Sequence, residues 1–406
     1  MALASIGITL HHHGFRFQTP AVYPHQPEPT SAPLRFGILG AARVAPLSLI
    51  LPVKNHADAV VHAVAARDQN RADTFAKKHG IAKAYGGTAA YQELLDDPEI
   101  DAVYIPLPNG LHYEWTMKAL AAGKHVLLEL PSTNTAEETR RMFDYAEKKG
   151  LVLLEAVHSR FHPAIRRTKE IVDSGELGTI TKIETEMAIP SGIFNDSDIR
   201  FSYALGGGAF MEMGCYTLFT ARYLAGADPL RVVTASADTS SAFPRIDIGT
   251  TATLAFPPLS SASAPSASSP GAAPTEITAI MTTHFRLPPR LGFIPQFPQV
   301  SARVIGTRGE VKLFNYLGPW LYHYITVKTT DENGVTKTRT EKAYGNYGWT
   351  TYRYQLEAFV DKIRGRTPDH WYDAQDSVSN LRWIERIYEA TGLGSRPESS
   401  AQIPTD

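Results

Sequence analysis

The chain has 406 residues, enough for two or three domains around a substantial core, and its 43% hydrophobic and 20% charged residues are those of an ordinary globular protein. A formal net charge of -1 removes any electrostatic case for nucleic acid or anionic membrane, and the single cysteine, Cys215, rules out an intrachain disulfide framework. No apolar run approaches the roughly 18 residues of a spanning helix, so a small-molecule ligand and a cytoplasmic setting are expected.

The first 33 residues mix Pro, His and Gln with short apolar patches such as Ile6-Gly7-Ile8. They lack the apolar stretch of a secretory signal, and Arg16 alone is too little for a transit peptide. They are read as a flexible arm. His11-His12-His13 is too short for a metal site, and none is expected.

From Leu34 the pattern becomes regular. Short apolar runs at Leu34–Leu39, Ala59–Ala66, Ala102–Ile105, His125–Leu128 and Leu151–Leu154 predict strands. Between them Asn70–His79, Ala89–Leu95, Leu111–Ala122 and Thr135–Lys149 carry apolar residues at helical spacing. Alternation of this kind predicts a Rossmann-type α/β domain over residues 34–155, with a parallel sheet between helices.

Beyond it, residues 156–393 change texture. His162–Ser174 predicts a helix, and Gly206-Gly207-Gly208 opens another through Leu224. Strands follow at Ile180–Ile189, Arg231–Asp238, Thr250–Phe256, Ile277–Phe285, Val300–Ile305 and Tyr322–Lys328. Strands without intervening helices predict an α+β domain with an open, mainly antiparallel sheet. Pro257–Pro274, nearly all Ser, Ala and Pro, is expected as a disordered loop joining two adjacent strands. Tyr352–Gly365 and Asp376–Ala390 are closing helices, and residues 394–406 a tail.

The first strand runs into Gly40-Ala41-Ala42-Arg43-Val44-Ala45, where a dinucleotide turn carries G-x-G-x-x-G/A. Gly40 permits the tight turn, and the next helix points its N-terminus at a pyrophosphate. Ala42 adds a methyl where backbone approaches phosphate, so the hexamer alone leaves an ordinary strand–helix turn open. The second strand ends in Ala66-Arg67-Asp68, with Arg71 one turn on. Arg67 and Arg71 suit the 2′-phosphate of NADP, whereas Asp68 suits the ribose of NAD. NADP is the favoured cofactor, with NAD possible.

Taken in order, Phe36-Gly37-Ile38-Leu39-Gly40-Ala41-Ala42-Arg43, Ala65-Ala66-Arg67-Asp68, Ile105-Pro106-Leu107-Pro108-Asn109-Gly110-Leu111-His112, Ala122-Gly123-Lys124-His125-Val126, Glu155-Ala156-Val157-His158-Ser159-Arg160-Phe161-His162-Pro163 and Gly206-Gly207-Gly208-Ala209 with Gly214-Cys215-Tyr216 resemble one family. It is that of glucose-fructose oxidoreductase, inositol dehydrogenase and the rhizopine-catabolism protein. The likeness spans residues 34–393 and is strongest to the branch of dimeric dihydrodiol dehydrogenase and fungal NADP-dependent xylose dehydrogenases. It implies a homodimer paired through the open sheet. It also implies that Pro108, Asn109 and His112 line the cofactor loop, that Glu129 and Pro131 flank the nicotinamide, and that Arg43 follows the turn. A helix cap is the plain alternative for His112.

Active members carry Glu-Lys-Pro after the fifth strand, and the lysine helps set the acid/base. Here the tripeptide is Glu129-Leu130-Pro131, so that cation is missing, and Lys124 lies before the strand. Loss of such a group costs about 10²- to 10⁴-fold in rate. Glu212 and Tyr216, four residues apart on one predicted helix, match the family's aspartate and catalytic tyrosine, with Glu one methylene longer. His158, Arg160 and His162 are expected near the same cleft, His162 as the substrate contact and His158 equally as a packed side chain. Aromatics from Trp320 to Tyr354 suit a pocket or strand-face packing. Three readings follow: an NADP-dependent dehydrogenase of sugars or cyclic diols with Tyr216 carrying the proton, a redox-neutral isomerase or lyase with a held cofactor, and a non-catalytic NADP(H) sensor.

Overall fold

The computed structural model describes residues 30–259, 276–294 and 296–401. Six strands, Leu34–Leu39 (β1), Ala59–Ala66 (β2), Lys83–Gly86 (β3), Ala102–Ile105 (β4), His125–Leu128 (β5) and Leu153–Glu155 (β6), pair in parallel in the order β3-β2-β1-β4-β5-β6. β1 and β4 are buried along almost their whole length, as a sheet covered on both faces demands. Strand order reverses between β1 and β4, so the crevice beyond their C-terminal ends is the place for a ligand.

The helices have local causes. A wide π turn, Pro46–Ile50, continues as Leu51–Lys54 (α1). Gln69–His79 (α2) starts on Asp68, whose carboxylate accepts from Arg71 N, and stops at Gly80 with φ 70°. Ala90–Asp96 (α3) and His112–Ala121 (α4) follow, and Ala136–Lys148 (α5) is capped by Thr135. Most of the expected bounds hold to within a residue or two. Leu151 instead closes the preceding helix through a bond to Ala146 O, which moves β6 toward the C-terminus.

The second sheet has eight strands: Ile180–Pro190 (β7), Arg231–Asp238 (β8), Gly249–Phe256 (β9), Ile277–Leu287 (β10), Gln299–Gly306 (β11), Gly309–Phe314 (β12), Tyr324–Thr330 (β13) and Thr336–Glu341 (β14). Their order is β14-β13-β12-β11-β7-β10-β9-β8, antiparallel except for the β7–β10 pair. Pro163–Asp173 (α6), Cys215–Ala225 (α7) and Ala374–Thr391 (α9) cover one face. Thr351–Ile363 (α8) reaches back to the first sheet, where Phe359 meets Phe36 with ring centroids 6.0 Å apart.

β3, β12 and β14 carried no clear sequence signal. β3 is a four-residue edge strand, and β14, Thr-Lys-Thr-Arg-Thr-Glu, is exposed along almost all its length. In β12 only Val311 and Leu313 are buried, too brief an alternation to mark a strand. β9 and β10 are neighbours, as expected of strands joined by the Ser/Ala/Pro segment, most of which lies outside the described residues. The same holds for residues 1–29 of the arm, whereas Thr30 N donates to Ala57 O at 2.9 Å. Among the described residues no helix is long and apolar enough to cross a membrane.

Candidate active site

At the end of β1 the chain turns at Gly40 with φ 105°, a conformation that L side chains avoid, and a Cβ there would stand 3.1 Å from Leu107. Ala42 is half-buried, Arg43 exposed, and α1 begins just beyond. Arg67 and Arg71 are both exposed at the end of β2. Arg71 Nη2 donates to Ala41 O at 2.9 Å, tying the second strand's end to the turn. Both guanidiniums act on Tyr91, whose hydroxyl would lie 3.8 Å from a Gly40 Cβ and is pushed up chiefly by burial. Asp68 is occupied as the cap of α2.

Glu129, at the end of β5, is fully enclosed. Tyr104 donates to Glu129 Oε1, Tyr104 and Ser48 hydroxyls lie 2.6 Å apart, and Ser48 Oγ donates to Val44 O at 2.9 Å. Burial pushes the Glu129 carboxyl up, against the lowering effect of the Tyr104 bond. Leu130, beside it, is 4% exposed and belongs to the main apolar core.

Across the crevice, α7 carries Tyr216, whose hydroxyl lies 3.1 Å from His158 Nε2. His158 Nδ1 in turn lies 2.8 Å from Thr351 Oγ1. Tyr352 packs on the imidazole at 4.1 Å between centroids, and Trp320 borders it at 6.4 Å. Burial pushes the Tyr216 hydroxyl well above, and the His158 imidazole well below, their ordinary values, so both are neutral near pH 7.

Glu212 lies in a π turn, Phe210–Gly214, ahead of α7 rather than in a regular helix. Its carboxylate accepts from Asn109 Nδ2 at 3.0 Å and sits 3.2 Å from Arg200 Nε, so it joins the cofactor loop to the second domain. Asn109 Nδ2 also reaches Gly206 O at 3.2 Å, while its buried Oδ1 accepts from no donor among the described residues. Pro108 is half-buried before this turn. His112 is a buried tie: its ring nitrogens lie 2.9 Å from Pro131 O and 2.7 Å from Leu107 O, and burial brings its pKa down to about 4. A neutral ring has one N–H for two carbonyls.

His162, expected at the substrate, caps α6 instead, with Nδ1 accepting from Ala164 N at 3.1 Å and its ring against His323 and Tyr354. Arg160 lies over the Tyr223 ring at 3.9 Å. Of the three basic residues after β6, only His158 reaches Tyr216. Lys124 Nζ donates to Asp97 O and Ile100 O, both at 2.8 Å, at the far end of the sheet. Sequence reasoning missed Tyr104, Ser48, Arg200 and Thr351, which no motif marks. Among the aromatics, Trp320 and Tyr352 border His158, whereas Tyr322 and Tyr324 pack with Phe314 along the strands.

A family model described as "Oxidoreductase family, NAD-binding Rossmann fold" matches residues 34–157, and the GFO/IDH/MocA C-terminal domain matches residues 165–312. The chain belongs to the GFO/IDH/MocA family of oxidoreductases. Within this family it is 34% identical over 368 residues, 90% of this chain and 99% of the relative, to D-xylose 1-dehydrogenase (NADP(+)) 2 of Haloferax volcanii. It is 34% identical over 202 residues, 49% of this chain and 58% of the relative, to trans-1,2-dihydrobenzene-1,2-diol dehydrogenase of Bos taurus. The fold is shared with KijD10, a 3-ketoreductase of Actinomadura kijaniata crystallised with NADP and TDP-benzene: TM-score 0.71, 24% identity, 91% of this chain and 100% of that one.

Proposed function

We propose that this chain is an NADP-dependent oxidoreductase acting on a CH–OH group, or the matching carbonyl, of a sugar or cyclic diol, as a cytoplasmic homodimer. The carrying observation is the buried Tyr216 hydroxyl, 3.1 Å from His158 Nε2, with Glu129 near enough to push it further up. The NADP preference rests on two exposed arginines at the end of β2, beside an aspartate already used as a helix cap. It agrees with the NADP(+) in the name of the Haloferax volcanii xylose dehydrogenase.

The residues fit the cofactor. Gly40 leaves room at the turn, Arg67 and Arg71 suit the 2′-phosphate, and Asn109 Oδ1 is a buried acceptor awaiting a donor. When bound, NADP(H) supplies or takes the hydride at the carbinol carbon. Tyr216, protonated at neutral pH, donates to the oxygen as a carbonyl is reduced, and takes that proton back during oxidation. His158, held by Thr351, orients the Tyr216 hydroxyl, while Leu130 sets an apolar side chain beside Glu129.

The test is NADPH absorbance with a panel of aldoses and cyclic diols, D-xylose first, in wild type and Tyr216→Phe. A fall in kcat of about 10²- to 10⁴-fold with unchanged NADP(H) affinity is expected. Full activity in Tyr216→Phe removes the tyrosine from the chemistry. A wholly inert panel with tight NADP(H) binding favours the sensor, the reading that buried Leu130 supports.

A further inference from the structure

The last described residues, Ser395–Ala401, lie in neither sheet, yet they bond to both halves of the reaction centre. Tyr203 OH donates to Ser395 O at 2.8 Å. Asn134 Nδ2 donates to Pro397 O at 2.7 Å, and Ser399 N donates to Glu138 Oε1 at 2.6 Å. Asn134 and Glu138 follow Glu129-Leu130-Pro131 directly, whereas Tyr203 precedes the Gly206–Gly208 turn that leads to Glu212 and Tyr216.

Between these anchors Arg396 is buried at 2% exposure. Its Nε donates to Gly207 O at 2.7 Å and its Nη2 to Asp247 Oδ1 at 2.8 Å, with the guanidinium over the Tyr388 ring at 3.9 Å. Asp247, wholly buried, caps the start of the π turn Phe210–Gly214 that leads into α7. Its carbonyl accepts from Ala209 N at 2.9 Å and its Oδ2 from Phe210 N at 2.7 Å, while Tyr388 OH, itself donating to Asp247 Oδ1 at 2.8 Å, accepts from Met211 N at 3.1 Å. A Cβ on Gly208, φ 140°, would collide with all three side chains. A buried ion pair brings little net stability over a well-packed apolar replacement. What this one does is set geometry: it holds three consecutive N–H groups in one direction.

We propose that residues 395–399 form an interdomain strap and that Arg396 is a positioning residue, fixing the π turn that leads into the Tyr216 helix against the Glu129 strand end. The proposal rests on the reading of Tyr216 given above, but its first test does not. In Arg396→Met, amide hydrogen exchange at Ala209, Phe210 and Met211 rises at least tenfold while β1 and β4 keep their protection. Turnover of D-xylose with NADP+ falls at least tenfold in kcat, with NADP(H) affinity unchanged. The double variant Asp247→Leu with Arg396→Met removes the buried charges together, so thermal stability returns while kcat does not. Asn134→Ala, which frees the other end of the strap, lowers kcat in the same sense and guards against Arg396→Met failing to fold. Unchanged exchange at residues 209–211 overturns the proposal, as does recovery of kcat in the double variant. If wild type is inert toward D-xylose, the functional reading loses that substrate and exchange alone decides the strap.

Discussion

At the scale of single residues, Leu130 leaves the place beside Glu129 without a cation, and Leu130→Lys puts an ammonium there. Turnover is expected to rise about tenfold or more, with a lower melting temperature because Leu130 is packed in the core. No gain in NADPH-linked turnover, with cofactor binding intact, means that the centre has diverged beyond one side chain. Without that lysine the Tyr216 hydroxyl stays protonated well past neutrality. The rate of alcohol oxidation should therefore climb with pH through pH 9, whereas carbonyl reduction stays flat; parallel profiles argue against Tyr216. At the other end of the cofactor, Arg67→Ala removes one charge-assisted bond, about 1.5–3 kcal/mol, hence roughly tenfold to a hundredfold in NADP+ dissociation constant. NAD+ binding should hardly move. Arg71→Ala weakens both, because Arg71 also holds Ala41 O. Calorimetry with the two nucleotides separates these outcomes, and equal losses in Arg67→Ala would remove the phosphate role.

At the scale of elements, the C-terminal ends of β5 and β6 are bound through a carboxyl. Glu155, the last residue of β6, accepts from Ser132 N at 2.8 Å, and burial pushes its pKa up to about 7. The unfolded chain loses this proton near the ordinary carboxyl value of 4.5, the native chain only near 7. Stability contributed by the bound proton is complete below the lower value and is lost as pH rises through the upper one. Glu155→Gln should flatten that limb. Between pH 4.5 and 8, wild type is expected to lose on the order of 3 kcal/mol relative to the variant in urea unfolding. Identical pH profiles would show that Glu155 is already ionised in the native protein. Helix positions were legible from apolar spacing, but the caps Asp68 of α2 and Thr135 of α5 emerge only in the structure. β14 was not legible, since an exposed polar edge strand is defined only by its bonds to β13.

At the scale of the whole molecule, the first sheet supplies the turn at Gly40 and the strand end at Glu129, while the second domain supplies Tyr216, His158 and Arg200. Helix α8 and the segment 395–399 return to join them. The order of motifs along the chain was enough for the α/β domain, the mainly antiparallel second sheet and the family, because these depend on hydrophobic period and turn chemistry that act within a few residues. It also singled out Tyr216, whose hydroxyl meets His158, and Glu129, which is bonded to Tyr104. It did not reveal that His162 caps a helix while His158 meets Tyr216, since both sit in one short motif and only packing against Thr351 and His323 tells them apart. Nor did it reveal the Ser48–Tyr104–Glu129 chain or the buried Arg396–Asp247 pair. Their partners come from distant segments, and which of two polar side chains is buried against which carbonyl is settled only when both sheets are folded and every enclosed donor must find an acceptor.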